Sequence, residues 1–193
     1  MLRHPKSPQL LNMYGQLYNQ NFNQLVTSTP KIPKIIHTVL REDDYHSDVD
    51  QLMRSCRLVN KDWEYKVWTM GNDSSLPIDK ALFDSLPNQK EKQDYMLLLA
   101  LKEYGGMAID MDYVCLKPFD SLAHRFSFVS NIEPPRAWSK IPITTLSFIG
   151  ASKSHPLVNK LLTLFSQYWQ DKAYRADIDS HAKVSTDLDR FVA

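Results

Sequence analysis

The sequence predicts an α/β domain, with a mainly parallel sheet flanked by helices and an N-terminal helix ahead of it. Three observations carry that expectation. Short apolar strands alternate with helical segments along the chain. The first strand, Lys34-Ile35-Ile36-His37-Thr38-Val39-Leu40, is β-branched and apolar on both faces, as a central buried strand requires. A glycine pair, Gly105-Gly106, then joins a long helical stretch to an apolar strand that ends in acid, Met107-Ala108-Ile109-Asp110.

Taken in order, residues 7–26 place Leu10, Leu11, Tyr14, Leu17, Tyr18 and Leu25 at helical spacing behind a Ser7 cap. This helix is expected to pack on the main domain. Thr27 to Pro33 carries two prolines and reads as a linker, so residues 1–30 form an N-terminal helix and linker and 31–193 the domain proper. After the first strand come an acidic turn at Glu42-Asp43-Asp44 and a helix from Ser47 to Val59. Glu64 to Thr69 alternates as a second strand, followed by helices over 78–86 and 88–104. Gly105-Gly106 stops the longer helix, where a left-handed residue is needed, and frees the backbone to approach a ligand. Phe126–Ile132 and Thr144–Ala151 read as further strands, the proline-rich segment between them as a loop, and 155–170 as a strong helix. The last residues, 185–193, read like mid-domain sequence, which points to a domain cut short at its C-terminus.

Bulk properties narrow the function. A chain of 193 residues suits one domain with a real core, and 43% hydrophobic with 23% charged residues excludes disorder and coiled coil. A net charge of +1 without a dense Lys/Arg run argues against a nucleic-acid partner. Apolar runs stop well short of the roughly 18 residues of a membrane span, so no transmembrane segment is expected, and peripheral membrane contact stays open. The start lacks an apolar segment of the signal-peptide kind, so a cytoplasmic chain is expected, with a secreted effector as the alternative. Cys56 and Cys115 belong to no C-x-x-C pair and are read as buried small hydrophobes in a reducing compartment. The Asn72-Asp73-Ser74 sequon then reads as a chance turn.

The chemistry concentrates between Asp94 and Asp120. Asp110 and Asp112 lie two apart at the carboxyl end of an apolar strand, where open α/β sheets bind ligands. Residues two apart in extended chain project to one side, so both carboxylates can face one ion. Hard divalent cations take such oxygen ligands and keep positions open for phosphate oxygens. A D-x-D in a solvated turn is common; an acidic pair directly after Met107-Ala108-Ile109 is costly to place beside a core without purpose. His37, inside an apolar strand, reads as a satisfied core histidine, and Trp63, Tyr65 and Trp68 as mainly core packing.

Three blocks resemble the DXD-containing sugar-binding region of glycosyltransferase family 32 and are similar to the catalytic core of the large clostridial glucosylating toxins. They are Ile32-Pro33-Lys34-Ile35-Ile36-His37, Trp63-Glu64-Tyr65-Lys66-Val67-Trp68, and Asp94 through Asp120 with Tyr104-Gly105-Gly106, the D-x-D and Leu116-Lys117-Pro118-Phe119. The resemblance implies a GT-A-like fold, a UDP- or GDP-sugar donor, Mn²⁺ or Mg²⁺, a glycan or protein acceptor, a place in polysaccharide biosynthesis, and retention of anomeric configuration. Carried over by position, Asp112 ligands the metal directly, and Asp110 reaches it through water or touches the donor. Asp94 binds donor-sugar hydroxyls, Thr38 and Val39 meet the nucleobase, and Gly106 belongs to the donor-binding set. His181 or Asp187 is a candidate third ligand. The chain departs from the family pattern at Leu97, where an arginine is usual three residues after the helix Asp, and at Ala108 and Leu40, where aromatics are usual. If Leu97 shares the face of Asp94, it touches the sugar. Two rivals stand beside this reading: a phosphohydrolase of the haloacid-dehalogenase type, with Asp110 as nucleophile and Asp112 as acid/base, and a degenerate, non-catalytic nucleotide-sugar binder.

Overall fold

The computed structural model describes residues 7–22, 26–40, 47–70, 75–111, 113–132 and 145–179. Its helices are α1 (Ser7–Phe22), α2 (Ser47–Val59), α3 (Lys80–Ser85), α4 (Gln89–Tyr104), α5 (Asp120–Ala123) and α6 (Pro156–Gln170). Its strands are β1 (Ile35–Leu40), β2 (Glu64–Thr69), β3 (Gly106–Ile109), β4 (Phe128–Ser130) and β5 (Phe148–Ala151). The strands form one sheet in the order β2-β1-β3-β5-β4. β1 pairs parallel with β2 and β3; β5 is antiparallel to both β3 and β4. Four strands therefore run one way and β5 alone runs back, so the mainly parallel expectation holds.

Alternation along the strands sorts side chains into two cores. Val39, Trp68, Ala108 and Ile149 pack with α3, α4 and α6 on one face. Ile36, Met107 and Ile109 pack on the other with Cys56 of α2, Trp63, Cys115 and Phe119. β1 lies between the two and is buried from Ile36 to Leu40. α4 is apolar nearly all round, with every residue from Tyr95 to Leu101 buried, because it is wedged between the sheet and α6.

α1 docks through aromatics, Tyr18 and Phe22 on Phe126, with the Arg125 guanidinium over Phe22. The segment after it is tied down more firmly than a linker. Thr27 N and Lys31 N donate to His124 O and Ala123 O, and Ile32 is fully buried.

The glycine pair corrects the sequence reading in part. Gly105 has φ 67° and caps α4, as expected. The close approach it permits is to protein: a Cβ there would meet Lys153 N at 2.6 Å, and one on Gly106 would meet Ile35 O at 2.5 Å. Gly105 seats the end of α4 against Pro33 and Lys153, and Gly106 seats β3 against β1.

The cysteines correct it outright. Cys56 and Cys115 are buried, as read, but they are joined in a disulfide across 59 residues of sequence. Neither position belongs to a recognisable pair motif, and only the packing of α2 against the segment after β3 brings them together.

Candidate functional site

Asp110 is the first residue past β3. Since Ile109 faces the α2 side, alternation turns Asp110 toward α4, and its N–H donates to Ser147 O at 2.9 Å. α4 begins beside it. The Asn88 side chain caps that helix by accepting from Lys90 N at 2.9 Å and Glu91 N at 3.4 Å. Lys90, Gln93 and Asp94, at i, i+3 and i+4, then share one helical face. Lys90 Nζ lies 3.0 Å from Asp110 Oδ2 and 3.0 Å from Asp94 Oδ1. Gln93, buried at 6% exposure, donates Nε2–H to Asp110 Oδ1 at 3.2 Å. Two carboxylates from different elements thus share one ammonium.

The charge is unevenly matched. Asp94 Oδ1 is buried and accepts no hydrogen bond; Lys90 approaches it as a charge, outside hydrogen-bonding angles. Burial pushes the Asp94 carboxyl above the ordinary range, only partly opposed by Lys90. At Lys90, burial acts to lower the ammonium pKa, and the Asp94 and Asp110 carboxylates together outweigh it and raise it. Asp112, the other half of the D-x-D, lies outside the described residues, as do His181, Asp187, the sequon at Asn72, the acidic turn at 42–44 and the segment 133–144. Among the described residues no group of three or more His, Cys, Asp or Glu could hold a metal, so a third acid beside Asp94 and Asp110 has to come from outside that set.

The remaining expected residues sort clearly. Thr38 and Val39 lie in β1 beside the end of β3, with Thr38 Oγ1 donating to Ile109 O at 3.3 Å; both side chains are buried. Gly106 sits at the opposite end of β3 from Asp110, among Ile35 and His37. Leu97 is 1% exposed in the α4 core, so the expectation that it faces the sugar is corrected. Leu97 lies among the buried residues of α4, and the cation near Asp94 comes instead from Lys90, one turn earlier. His37 is the satisfied core histidine expected. Trp68 Nε1–H donates to its Nδ1 at 3.2 Å, which makes Nε2 the protonated nitrogen bonded to Gly105 O at 2.7 Å. Burial lowers its pKa to about 4. Trp63 and Trp68 are buried on opposite faces of the sheet.

Residues 46–129 match the family model for the glycosyltransferase sugar-binding region containing the DXD motif. The match spans the second and third blocks read from the sequence and bears out the resemblance. Over 154 residues the chain is 25% identical to inositol phosphoceramide mannosyltransferase 1 of Schizosaccharomyces pombe, covering 74% of this chain and 46% of the relative. It is 28% identical to mannosyltransferase 2 of that name from the same organism, over 75% of this chain and 42% of the relative. It is 25% identical to a mannosyl phosphorylinositol ceramide synthase of Saccharomyces cerevisiae, over 72% and 36%. The chain therefore spans less than half the length of these relatives. The solved PaToxG glycosyltransferase superposes with a TM-score of 0.52 at 19% identity, covering 86% of this chain and 72% of that one. The fold is GT-A-like, and neither the phosphohydrolase nor the degenerate reading is favoured.

Proposed function

We propose that this chain is the donor-binding core of a glycosyltransferase that moves a sugar from a nucleotide-sugar donor to an acceptor with Mn²⁺ or Mg²⁺. The observation that carries the reading is the surplus of half-buried carboxylate at the carboxyl edge of the sheet: Asp94 and Asp110 share one ammonium, and the buried Asp94 Oδ1 accepts no hydrogen bond. Oxygen-only donors of this kind fit a hard cation. Asp110 and Asp112 are the residues to hold it, with Asp94 left for the hydroxyls of the donor sugar. When bound, such an ion neutralises charge growing on the leaving diphosphate. The protein's own part is positional. Gln93 fixes the Asp110 carboxylate through Oδ1, the buried Asp94 oxygen is ready to accept a sugar hydroxyl, and burial strengthens both contacts. Retention of configuration is carried into the proposal from the family resemblance.

The relatives are named for mannosyl transfer to an inositol phosphoceramide, and a mannosyl donor with an amphiphilic acceptor is the first pair to test here. A groove of about 400 Å³ on the α2 side of the sheet, next along the chain from Asp110, supports an acceptor with an apolar part; it is lined by Ile109, Tyr113, Val114, Leu116 and Phe148 and reaches Tyr18 of α1. Leu116 is 82% exposed on its rim. No helix among the described residues is long and apolar enough to cross a membrane. The disulfide supports action in an oxidising compartment, against the cytoplasmic expectation.

Calorimetry with UDP- and GDP-sugars, with and without Mn²⁺, tests the donor reading. Metal-dependent binding in the wild type that disappears in Asp110→Asn is expected; equal affinity in both proteins removes Asp110 from the site. For the acceptor, Leu116→Asp is expected to raise KM for a lipid-linked acceptor and leave a water-soluble one unchanged. Equal effects on both would remove the groove from acceptor binding.

A further inference from the structure

We propose that Lys90 is a resident counter-ion that stands in the cation's place at Asp110 and makes metal binding depend on the diphosphate arriving with it. This rests on the donor-site reading above. Both oxygens of Asp110 are engaged by the protein, Oδ1 by Gln93 at 3.2 Å and Oδ2 by the Lys90 ammonium at 3.0 Å. A divalent ion ligated by a carboxylate sits about 2.0–2.6 Å from its oxygen. An ammonium on that same oxygen is then close enough for strong repulsion, so the two occupants exclude each other.

The lysine is the partner that can leave. Its side chain is 48% exposed, against 19% for Asp94 and 16% for Asp110, and it ends a flexible four-carbon stem on the first turn of α4. Asp110 is held by Gln93 and by the pairing of β3, and Asp94 by the buried body of its helix. When the ion arrives alone, the displaced ammonium loses Asp110 and gains no new partner. When it arrives with a nucleoside diphosphate, the phosphate oxygens supply one at the same edge. Metal and diphosphate therefore bind with positive coupling, and by thermodynamic reciprocity each tightens the other by the same factor. A surface i,i+4 pair with Asp94 alone would not produce this; the second contact, across elements to Asp110, is what does.

The test titrates Mn²⁺ into the full chain, alone and with UDP or GDP present, following free Mn²⁺ by electron paramagnetic resonance. Wild type, Lys90→Met and Lys90→Arg are compared. In the wild type, diphosphate is expected to tighten Mn²⁺ binding by about tenfold or more, within the usual range of such couplings. Lys90→Met should bind Mn²⁺ alone about tenfold more tightly and lose most of the coupling, while Lys90→Arg keeps it. If Lys90→Met leaves Mn²⁺-alone affinity and coupling as in the wild type, the counter-ion role is overturned and the donor site stands. If no protein binds Mn²⁺ under either condition, the donor-site reading falls, and this inference with it. Far-UV circular dichroism of each variant separates loss of binding from loss of fold.

Discussion

Two lysine–aspartate clusters occupy opposite edges of the same parallel strands. At the amino edge, Asp120 of α5 receives Lys34 on Oδ1 at 2.5 Å and the Trp63 indole N–H on Oδ2 at 3.3 Å. Each oxygen has its own partner, and the carboxyl is held below its ordinary range chiefly by the Lys34 hydrogen bond. At the carboxyl edge, Asp94 and Asp110 divide one lysine between them, and the Asp94 carboxyl is displaced the other way, by burial. The residue types are the same. The difference lies in stoichiometry and in solvent: Asp120 is 39% exposed and fully partnered, Asp94 is 19% exposed with an oxygen accepting no hydrogen bond. Complete partners mark Asp120 as a structural acid, and the shared ammonium is what sets Asp94 and Asp110 apart as the candidate ligand-binding pair of the proposal above.

The largest expected effect breaks the connection between the two edges. The chain from Asp110 to Asp120 passes through Cys115, which the disulfide ties to α2. Closing a loop of 59 residues contributes about 4 kcal/mol in the chain-entropy account. Urea unfolding of the oxidised protein and of the Cys56→Ser/Cys115→Ser double variant should differ by roughly that amount. A difference under about 1 kcal/mol would mean that packing alone holds the crossing segment.

Exchanging Asp for Asn at each edge sharpens the contrast. Asp110→Asn should weaken Mn²⁺-dependent donor binding by about a hundredfold or more, since changes in the supporting shell of a metal site alone cost about 10–100-fold. Asp120→Asn should leave that affinity unchanged and lower stability by about 1 kcal/mol or less, because its ion pair is solvent-screened. Calorimetry and thermal melts on both variants read the two outcomes; a binding defect in Asp120→Asn would erase the distinction between the edges.

The smallest effect has the opposite sign. A carboxyl whose folded pKa lies above its unfolded value loses stability as the pH rises through the folded value. Asp94→Asn removes that ionisation and should raise the melting temperature at pH 7 while weakening donor binding. A lower melting temperature would mean that the Lys90 pair outweighs the cost of burying the charge.

Much of this was legible in the amino acids. The bounds of α2 and β2 follow directly from their apolar patterns, and β1 is the two-faced buried strand that its β-branched run announces. The abrupt acid after an apolar strand and the family blocks singled out Asp110 and Asp94, and the structure brings these two together at Lys90. Lys90 and Gln93 were missed although they precede Asp94 by one turn and by one residue. A cation at i−4 on a charged helical start looks like any solvated face until β3 delivers a second carboxylate to it. Leu97 was misplaced because sharing a face with Asp94 was taken to mean sharing its solvent edge; α4 is buried continuously from Tyr95 to Leu101, so one turn further along the helix lies in the core. The four-residue α5 and the disulfide carry no periodic signal. Both depend on contacts distant in sequence.

The pairing of His37 with Trp68 and Gly105 bears on how pH–rate profiles of this protein are to be interpreted. With its imidazole neutral down to about pH 4 and both nitrogens committed within the core, it is electrically silent across the range in which enzymes are usually assayed. An inflection near pH 6.5 in kcat or kcat/KM therefore cannot be assigned to the histidine of the first strand. It has to be sought in groups that meet the substrate, or in the substrate's own phosphate.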